Sequence, residues 1–184
     1  MTQSSADSPP VSIRRGTPAD AAVLAAFAAR TFEESFGAQN DPDDLAAYLS
    51  ASYGAPQQEA ELRDPGAITL LAETGGVLAG YAQLRHIPPP ASVPGRHPVE
   101  IRRFYVDGPF HGRGVARQLM AKTIAAAREM GGDVLWLQVW DRNPRGIAFY
   151  EKCGFTDVGS TTFVVGSDVQ SDRVMTLPVA EERG

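Results

Sequence analysis

Apolar residues recur along the chain with two different periods, which predict an alternation of strands and helices. Residues 11–14 alternate apolar and polar, as does a strand with one buried face. A hydroxyl, a proline and an acidic residue within positions 17–20 then give a helix start. The helix that follows carries an apolar stripe and ends at residue 32 or 36, and residues 41–44 begin a second helix by the same capping chemistry.

The middle of the chain predicts a hairpin followed by a loop. Residues 67–73 and 77–84 are two β runs joined by Thr74-Gly75-Gly76. Residues 87–98 contain five prolines in twelve positions, which predicts a loop that either gates a cleft or only connects two strands.

The second half predicts further alternation around one mixed sheet. A strand over 99–106 is followed by a helix that ends before Gly131-Gly132. Then come a strand at 134–140 that is apolar on both faces, a short helix at 144–152, and strands near 155–165 and 173–177. The order predicts an α/β or α+β fold in one domain over residues 11–178, between tails at 1–10 and 179–184.

Composition narrows the class of protein. The chain has 184 residues with 43% hydrophobic content, enough for one packed domain, and its net charge of -5 argues against a nucleic-acid binder. Cys153 is the single cysteine, so no internal disulfide and no Cys-based metal site is expected. No run approaches the ~20 apolar residues that a membrane span needs. We expect a cytoplasmic protein without a metal.

Residues 104–119 carry the first candidate site. A strand ends, a glycine-rich turn follows, and a long helix begins, so the first helical amides and the helix dipole face whatever lies in front of them. Gly112 and Gly114 allow close approach of an anion, while Arg113 and Arg117 add positive charge. The segment predicts a phosphate or pyrophosphate site. The alternative is a tight turn whose glycines serve only the connection.

Residues 136–155 carry the second candidate site. A buried strand leads into a loop in which Asn143 can cap a short helix, and that helix bears Tyr150 and ends at Gly154. Tyr150 is either a functional phenol or a core aromatic.

Together the two segments resemble the GCN5-related N-acetyltransferase (GNAT) family. The run His111-Gly112-Arg113-Gly114-Val115-Ala116 resembles the family's Q/R-x-x-G-x-G/A motif, with His111 where Gln or Arg is usual. Residues 143–155 resemble its N-x-x-A-x-x-F-Y-x-K-x-G-F signature, with Gly146 in place of the alanine.

The resemblance implies an acetyl-CoA-dependent enzyme that acetylates an amine by direct attack on the thioester. It implies a single domain with a mostly antiparallel sheet of six or seven strands and about four helices. The main chain of Phe104, Tyr105 and Val106 would then bind pantetheine. The residues expected to hold the pyrophosphate are His111, Gly112, Arg113, Gly114, Val115, Ala116 and Arg117. Asn143 would contact the cofactor, and Tyr150 would share or give a proton to the departing sulfur.

The general base is left open by the sequence. Relatives place a glutamate where this chain has Gln138, which cannot accept a proton. Glu100 is the first substitute and Asp141 the second, and a chain of waters without a dedicated base is a further alternative. Each carboxylate could equally be an ordinary half-exposed side chain. Cys153 is interpreted as structural.

The acceptor is expected to be a small amine. Residues 31–36, 39–40 and 48–49 resemble PaiA-type spermidine/spermine acetyltransferases, which favours a polyamine, with Glu34 as its contact. Alternatives are a protein N-terminal acetyltransferase, a non-catalytic acyl-CoA-binding module, and a structural protein without a nucleotide. The resemblance also suggests a homodimer through residues 163–165 and 174–177, and neither a nucleic acid nor a membrane as partner.

Overall fold

In the computed structural model, which describes residues 10–165 and 168–179, seven strands form one sheet in the order β1-β2-β3-β4-β5-β7-β6. β4 and β5 pair in parallel, and every other neighbouring pair is antiparallel. The strands are β1 (Val11–Arg15), β2 (Ala67–Thr74), β3 (Val77–Arg85), β4 (Pro98–Val106), β5 (Val134–Trp140), β6 (Thr156–Val165) and β7 (Asp168–Pro178). The mixed, mostly antiparallel sheet of the sequence prediction is confirmed.

Helices cover both faces of this sheet. They are α1 (Ala21–Phe36), α2 (Pro42–Tyr53), α3 (Ala55–Arg63), α4 (Val115–Glu129) and α5 (Pro144–Lys152). Leu70 and Leu71 are neighbours on β2 and enter separate apolar clusters, because successive side chains of a strand point to opposite faces. The cluster of Leu70 contains residues of α4 and α5, and that of Leu71 contains residues of α1 and α2.

Two segments differ from the prediction, and a third bears on an alternative that the sequence left open. Helix α3 was not predicted, and β7 begins five positions earlier than expected. The segment between β3 and β4 is a loop, as predicted, and its end is held by Asp133, whose carboxylate accepts hydrogen bonds from the amides of Arg96 (2.7 Å) and His97 (3.0 Å). No residue of this loop lines the cleft described below, which favours the connecting role over the gating one.

The expected tails lie mostly outside the described residues, and the two expected dimer strands occupy different positions in the sheet. Residues 1–9 and 180–184, which make up most of the expected tails, lie outside the described residues. Residues 163–165 fall in β6, at the sheet edge, whereas 174–177 fall in β7, between β5 and β6. Both sides of β7 are thus already paired, so only the β6 edge could pair with a second copy. The homodimer stays a prediction.

A buried ion pair connects α3 to β4. Arg103, 5% exposed at its side chain, donates to Glu61 (2.6 Å), to the Gln83 amide oxygen (2.7 Å) and to Ser52 O (3.0 Å). Arg102 donates to the other oxygen of Glu61 (2.6 Å). Burial by itself would raise the pKa of Glu61, but Arg103, together with Gln57 and Arg102, lowers it below its ordinary value. The pair therefore stabilises the fold at neutral pH and loses its contribution in acid.

We expect Glu61→Gln to lower the free energy of unfolding by about 3 kcal/mol, because it leaves the Arg103 charge buried without a counter-ion. Urea denaturation measures the difference. Glu59→Gln is the matched control on the same helix, because Glu59 pairs with Arg63 at the surface. Its loss should stay within about 0.5 kcal/mol. Equal losses in the two variants would contradict a role for the buried pair.

Candidate active site

The site begins where the two parallel strands separate. β4 and β5 pair only from Pro98↔Val134 to Ile101↔Leu137. On the other edge of β4, the register with β3 shifts so that Arg102 is an extra residue between Ile101 and Arg103, a β-bulge. Past this point β4 continues to Val106 and β5 to Trp140 without pairing to each other. We call the opening between them the gap.

A cleft of about 380 Å³ opens on the gap. Its walls on the sheet side include Glu100, Phe104, Tyr105, Gln138 and Asp172, and Asn143 and Tyr150 also line it. Aromatic residues of α1, α2 and β5 also line it, and we call the part lined by Phe32, Phe36, Tyr48 and Trp140 the aromatic chamber. A hydrogen bond from Gln170 to Asn40 (3.3 Å) joins β7 to the α1–α2 connection at this end.

The turn at residues 107–114, here called the glycine turn, leads from β4 into α4. Gly112 (φ 75°) and Gly114 (φ 82°) both take the left-handed backbone conformation that favours glycine. The first intrahelical bond of α4 runs from Gln118 N to Gly114 O (3.1 Å), which leaves the amides of residues 115–117 directed in front of the helix. A β-carbon built at Gly112 would meet no atom within 4 Å, so the space before the turn is open.

Two contacts hold the glycine turn against the rest of the site. His111 Nε2 lies 2.6 Å from Val106 O and donates to it, which occupies a carbonyl that sequence reasoning reserved for pantetheine. Asp107 is buried and accepts two hydrogen bonds from Arg30 of α1 (3.0 and 2.8 Å). Those bonds from Arg30 lower the pKa of Asp107 and keep it charged. A glycine-rich turn was predicted in this segment from the sequence, with no role assigned to Asp107.

The glycine turn can hold a phosphate. Arg113 and Arg117 are exposed beside the open amides, and the helix dipole adds about half a positive charge at the same end. The arrangement fits a pyrophosphate, and the unpaired strand edges of the gap fit an extended chain bearing amide groups.

Tyr150 lines the cleft from helix α5. Its ring is half-buried and packs edge-to-face against Phe104 (6.2 Å), Phe149 (5.5 Å) and Phe155 (5.7 Å). Burial raises the pKa of its phenol well above the ordinary value. The group therefore keeps its proton at working pH and can donate a hydrogen bond to an anion.

Asn143 caps α5, as predicted: its side-chain oxygen accepts from Gly146 N (2.9 Å). Gly146, which departs from the family's alanine, lies very close to this cap. A β-carbon there would stand 2.7 Å from Asn143 Nδ2, so the absence of a side chain permits the observed position of the amide.

The candidate general bases differ in burial and in their position relative to the cleft. Glu100 is buried in the cleft wall and forms an ion pair with Arg85. Gln138 also faces the cleft, whereas Asp141 is exposed and does not line it. Burial raises the pKa of the half-buried Cys153 thiol, which makes it a poor nucleophile and agrees with the structural interpretation.

Asp172 was missed by sequence reasoning. It lies directly opposite Trp140 in the β5–β7 register and lines the cleft. Burial, and then the charge of Asp141, raise its pKa to about 6. No motif marks it, since its position depends on a pairing between distant segments.

Glu34, the predicted substrate contact, is not brought into this cleft. It is exposed on α1, where it pairs with Arg30 (3.0 Å) beside a shallow depression between α1 and α2. In the described part of the chain, no group of three or more His, Cys, Asp or Glu residues could hold a metal ion, and no helix could cross a membrane.

Known proteins resemble this chain in sequence and in fold. The family model described as the acetyltransferase (GNAT) family matches residues 23–155. An uncharacterized N-acetyltransferase of Mycobacterium tuberculosis is 34% identical over 157 residues, which cover 85% of this chain and 96% of the relative. The N-alpha-acetyltransferase RimI of the same species is 32% identical, with 84% of each chain covered.

Among solved structures, the PaiA N-acetyltransferase of Thermoplasma acidophilum in complex with coenzyme A has a similar fold, with a TM-score of 0.71 at 17% identity. The alignment covers 92% of this chain and 99% of that one. The geometry of the glycine turn and of the gap suits coenzyme A, which agrees with the family match and with these relatives. The chain therefore belongs to the GNAT family and is an acetyl-CoA-dependent N-acetyltransferase.

Proposed function

We propose that the acceptor is a small cationic amine of the polyamine class. The observation that supports this most is a buried carboxylate, Asp172, beside the aromatic chamber. A carboxylate attracts an ammonium group, aromatic faces bind cations, and both favour alkylammonium chains. The net charge of -5 attracts the same class of ligand over a longer range.

The size of the cleft also favours a compact acceptor. Its volume of about 380 Å³ is in the range of small-molecule sites. Gln170 and Asn40 both line the cleft, and the hydrogen bond between them links β7 to the α1–α2 connection, which favours a small free amine over an extended polypeptide. The similarity to RimI makes a peptide N-terminus the competing acceptor.

Each half of the cleft has its own task in the proposed reaction. Acetyl-CoA supplies a thioester whose carbonyl the amine attacks. The amides of residues 115–117, with the side chains of Arg113 and Arg117, bind the pyrophosphate, and the edges of β4 and β5 bind the pantetheine arm. Tyr150 donates a hydrogen bond to the sulfur as negative charge develops on it. Because the pKa of Tyr150 is raised, we expect the phenol to share its proton with the sulfur rather than to transfer it completely.

A thiol-release assay tests the acceptor class. We expect turnover with spermidine and spermine, and at least tenfold lower kcat/KM with aminoglycosides, amino acids and peptides ending in a free α-amine, because those acceptors are bulkier or carry competing anionic groups. Turnover of a peptide N-terminus without turnover of polyamines would overturn the polyamine proposal and favour the RimI-like function.

The glycine turn is tested by reversing charge. We expect Arg113→Glu combined with Arg117→Glu to weaken acetyl-CoA binding by about 100-fold, because two cations beside the pyrophosphate become anions. Titration calorimetry measures the dissociation constant, and the loss should shrink at high salt. Lys122→Glu is the control farther along α4, and it should change binding less than about twofold. Unchanged affinity in the double variant would contradict the assignment of the pyrophosphate site.

Tyr150→Phe separates chemistry from binding. We expect kcat to fall about 100-fold while the acetyl-CoA dissociation constant stays unchanged, since the ring packing is kept and only the hydroxyl is lost. Cys153→Ala should leave kcat unchanged. An inactive Cys153→Ala variant would instead indicate a covalent acyl-cysteine, and a fully active Tyr150→Phe variant would remove the phenol from the mechanism.

A further inference from the structure

Two carboxylates line the cleft within the described residues, and their surroundings differ. Glu100 is engaged by the guanidinium of Arg85. Asp172 is 6% exposed, and its Oδ1 has no hydrogen-bond partner among the described residues. Of the two, Asp172 is therefore the carboxylate with an oxygen that no protein donor occupies.

A buried oxygen without a partner is costly to the fold. Leaving a buried acceptor unsatisfied costs the free energy of removing it from water with nothing to compensate, and the cost is greater when the group is charged. Buried polar atoms of this kind are rare in folded proteins. Of those found in the described residues, which also include Tyr81 Oη and Trp136 Nε1, only Asp172 Oδ1 belongs to a residue that lines the cleft. An acceptor ammonium in the aromatic chamber would supply the missing donor to Asp172.

The groups around Asp172 explain its charge state. Burial is the largest influence on its pKa and the charge of Asp141, just beyond β5, is the second; together they raise the pKa to about 6. Arg173 follows it on β7 but points to the opposite face, where it pairs with Asp157 (3.4 Å). The other groups on neighbouring elements are neutral or already paired: Gln138, Trp140 and Thr161 on β5 and β6, Phe36 and Tyr48 on α1 and α2, Tyr150 on α5, and the Glu100–Arg85 pair across the cleft.

We propose that Asp172 is the general base, which accepts a proton from the acceptor ammonium before the nitrogen attacks the thioester. This inference rests on the proposed function, since it requires a protonated amine as the acceptor. It replaces Glu100 and Asp141, the substitutes that sequence reasoning offered for the missing glutamate.

The proton and electron balance is complete with the groups in the cleft. The ammonium gives one proton to Asp172 and becomes a neutral amine. The nitrogen lone pair forms the new C–N bond, and the C–S electron pair leaves with the sulfur. The second proton of the nitrogen passes to the thiolate, which Tyr150 stabilises by a hydrogen bond. Asp172 then releases its proton to solvent, so each turnover yields acetylated amine, thiol and one proton.

The pH dependence of kcat/KM for spermidine tests this role. A base that titrates near pH 6 makes the rate rise through that pH and then level off, because the unprotonated form is active. We expect Asp172→Asn to be about 100-fold slower at pH 7. We also expect its rate to keep rising with pH towards the amine pKa of about 10, because the variant depends on neutral amine from solution.

Two further variants make the test specific. Asp141→Asn removes the neighbouring negative charge, so the rise in rate should move to lower pH while the plateau stays. Asp157→Asn, an exposed carboxylate on β6, should leave the profile unchanged. Acetyl-CoA titration of Asp172→Asn checks whether this variant folds. If it fails to bind acetyl-CoA, the test rests on Asp141→Asn, in which the rise in kcat/KM should move to lower pH.

The outcomes separate this inference from the proposed function. Wild-type enzyme that turns over no amine, yet binds acetyl-CoA, overturns the proposed function and this inference with it. Wild-type turnover with an unchanged profile in Asp172→Asn overturns the inference alone. The inference alone is also overturned if Asp141→Asn leaves the rise in kcat/KM at the same pH. It is likewise overturned if Glu100→Gln, rather than Asp172→Asn, removes the plateau of kcat/KM above about pH 6.

Discussion

The separation of β4 from β5 is the constraint on which the rest of the site depends. Parallel strands normally continue their hydrogen bonds, so an opening between them requires something that stops the pairing. Here the bulge at Arg102 coincides with the last paired residue, Ile101. Both Arg102 and Arg103 are held by Glu61 of α3, so the helix that packs beside the bulge also keeps it in place.

The charges of the site are divided between its two ends. Guanidinium groups and open amides lie at the glycine turn, where an anionic cofactor would enter. The carboxylate of Asp172 lies at the aromatic chamber, where a cation would enter. Oppositely charged ligands are thus each attracted to one end, and the reacting atoms meet in the gap between them.

Sequence reasoning predicted the elements whose signals are local. The strands, the glycine turn and the Asn143 cap depend on alternation, on glycine and on a capping side chain, all of which are visible within a few residues. Helix α3 was missed because it buries little beyond Gln58 and so has no apolar stripe to detect. Asp172 was missed because its burial depends on β7 lying between β5 and β6, a pairing between segments about thirty residues apart. For Glu34, the helix was predicted correctly, but the face of the helix on which the residue lies was not.

The joining of Asn40 to Gln170 has a consequence for how this enzyme could change over evolution. The acceptor end of the cleft is lined in part by the α1–α2 connection and by strand β7, which are far apart in sequence, and neither contributes to the glycine turn or to α5. Substitutions in these two segments can reshape the acceptor end while the cofactor end keeps its geometry. Relatives that share this scaffold can therefore diverge in the amines they modify while their binding site for the acyl donor stays unchanged.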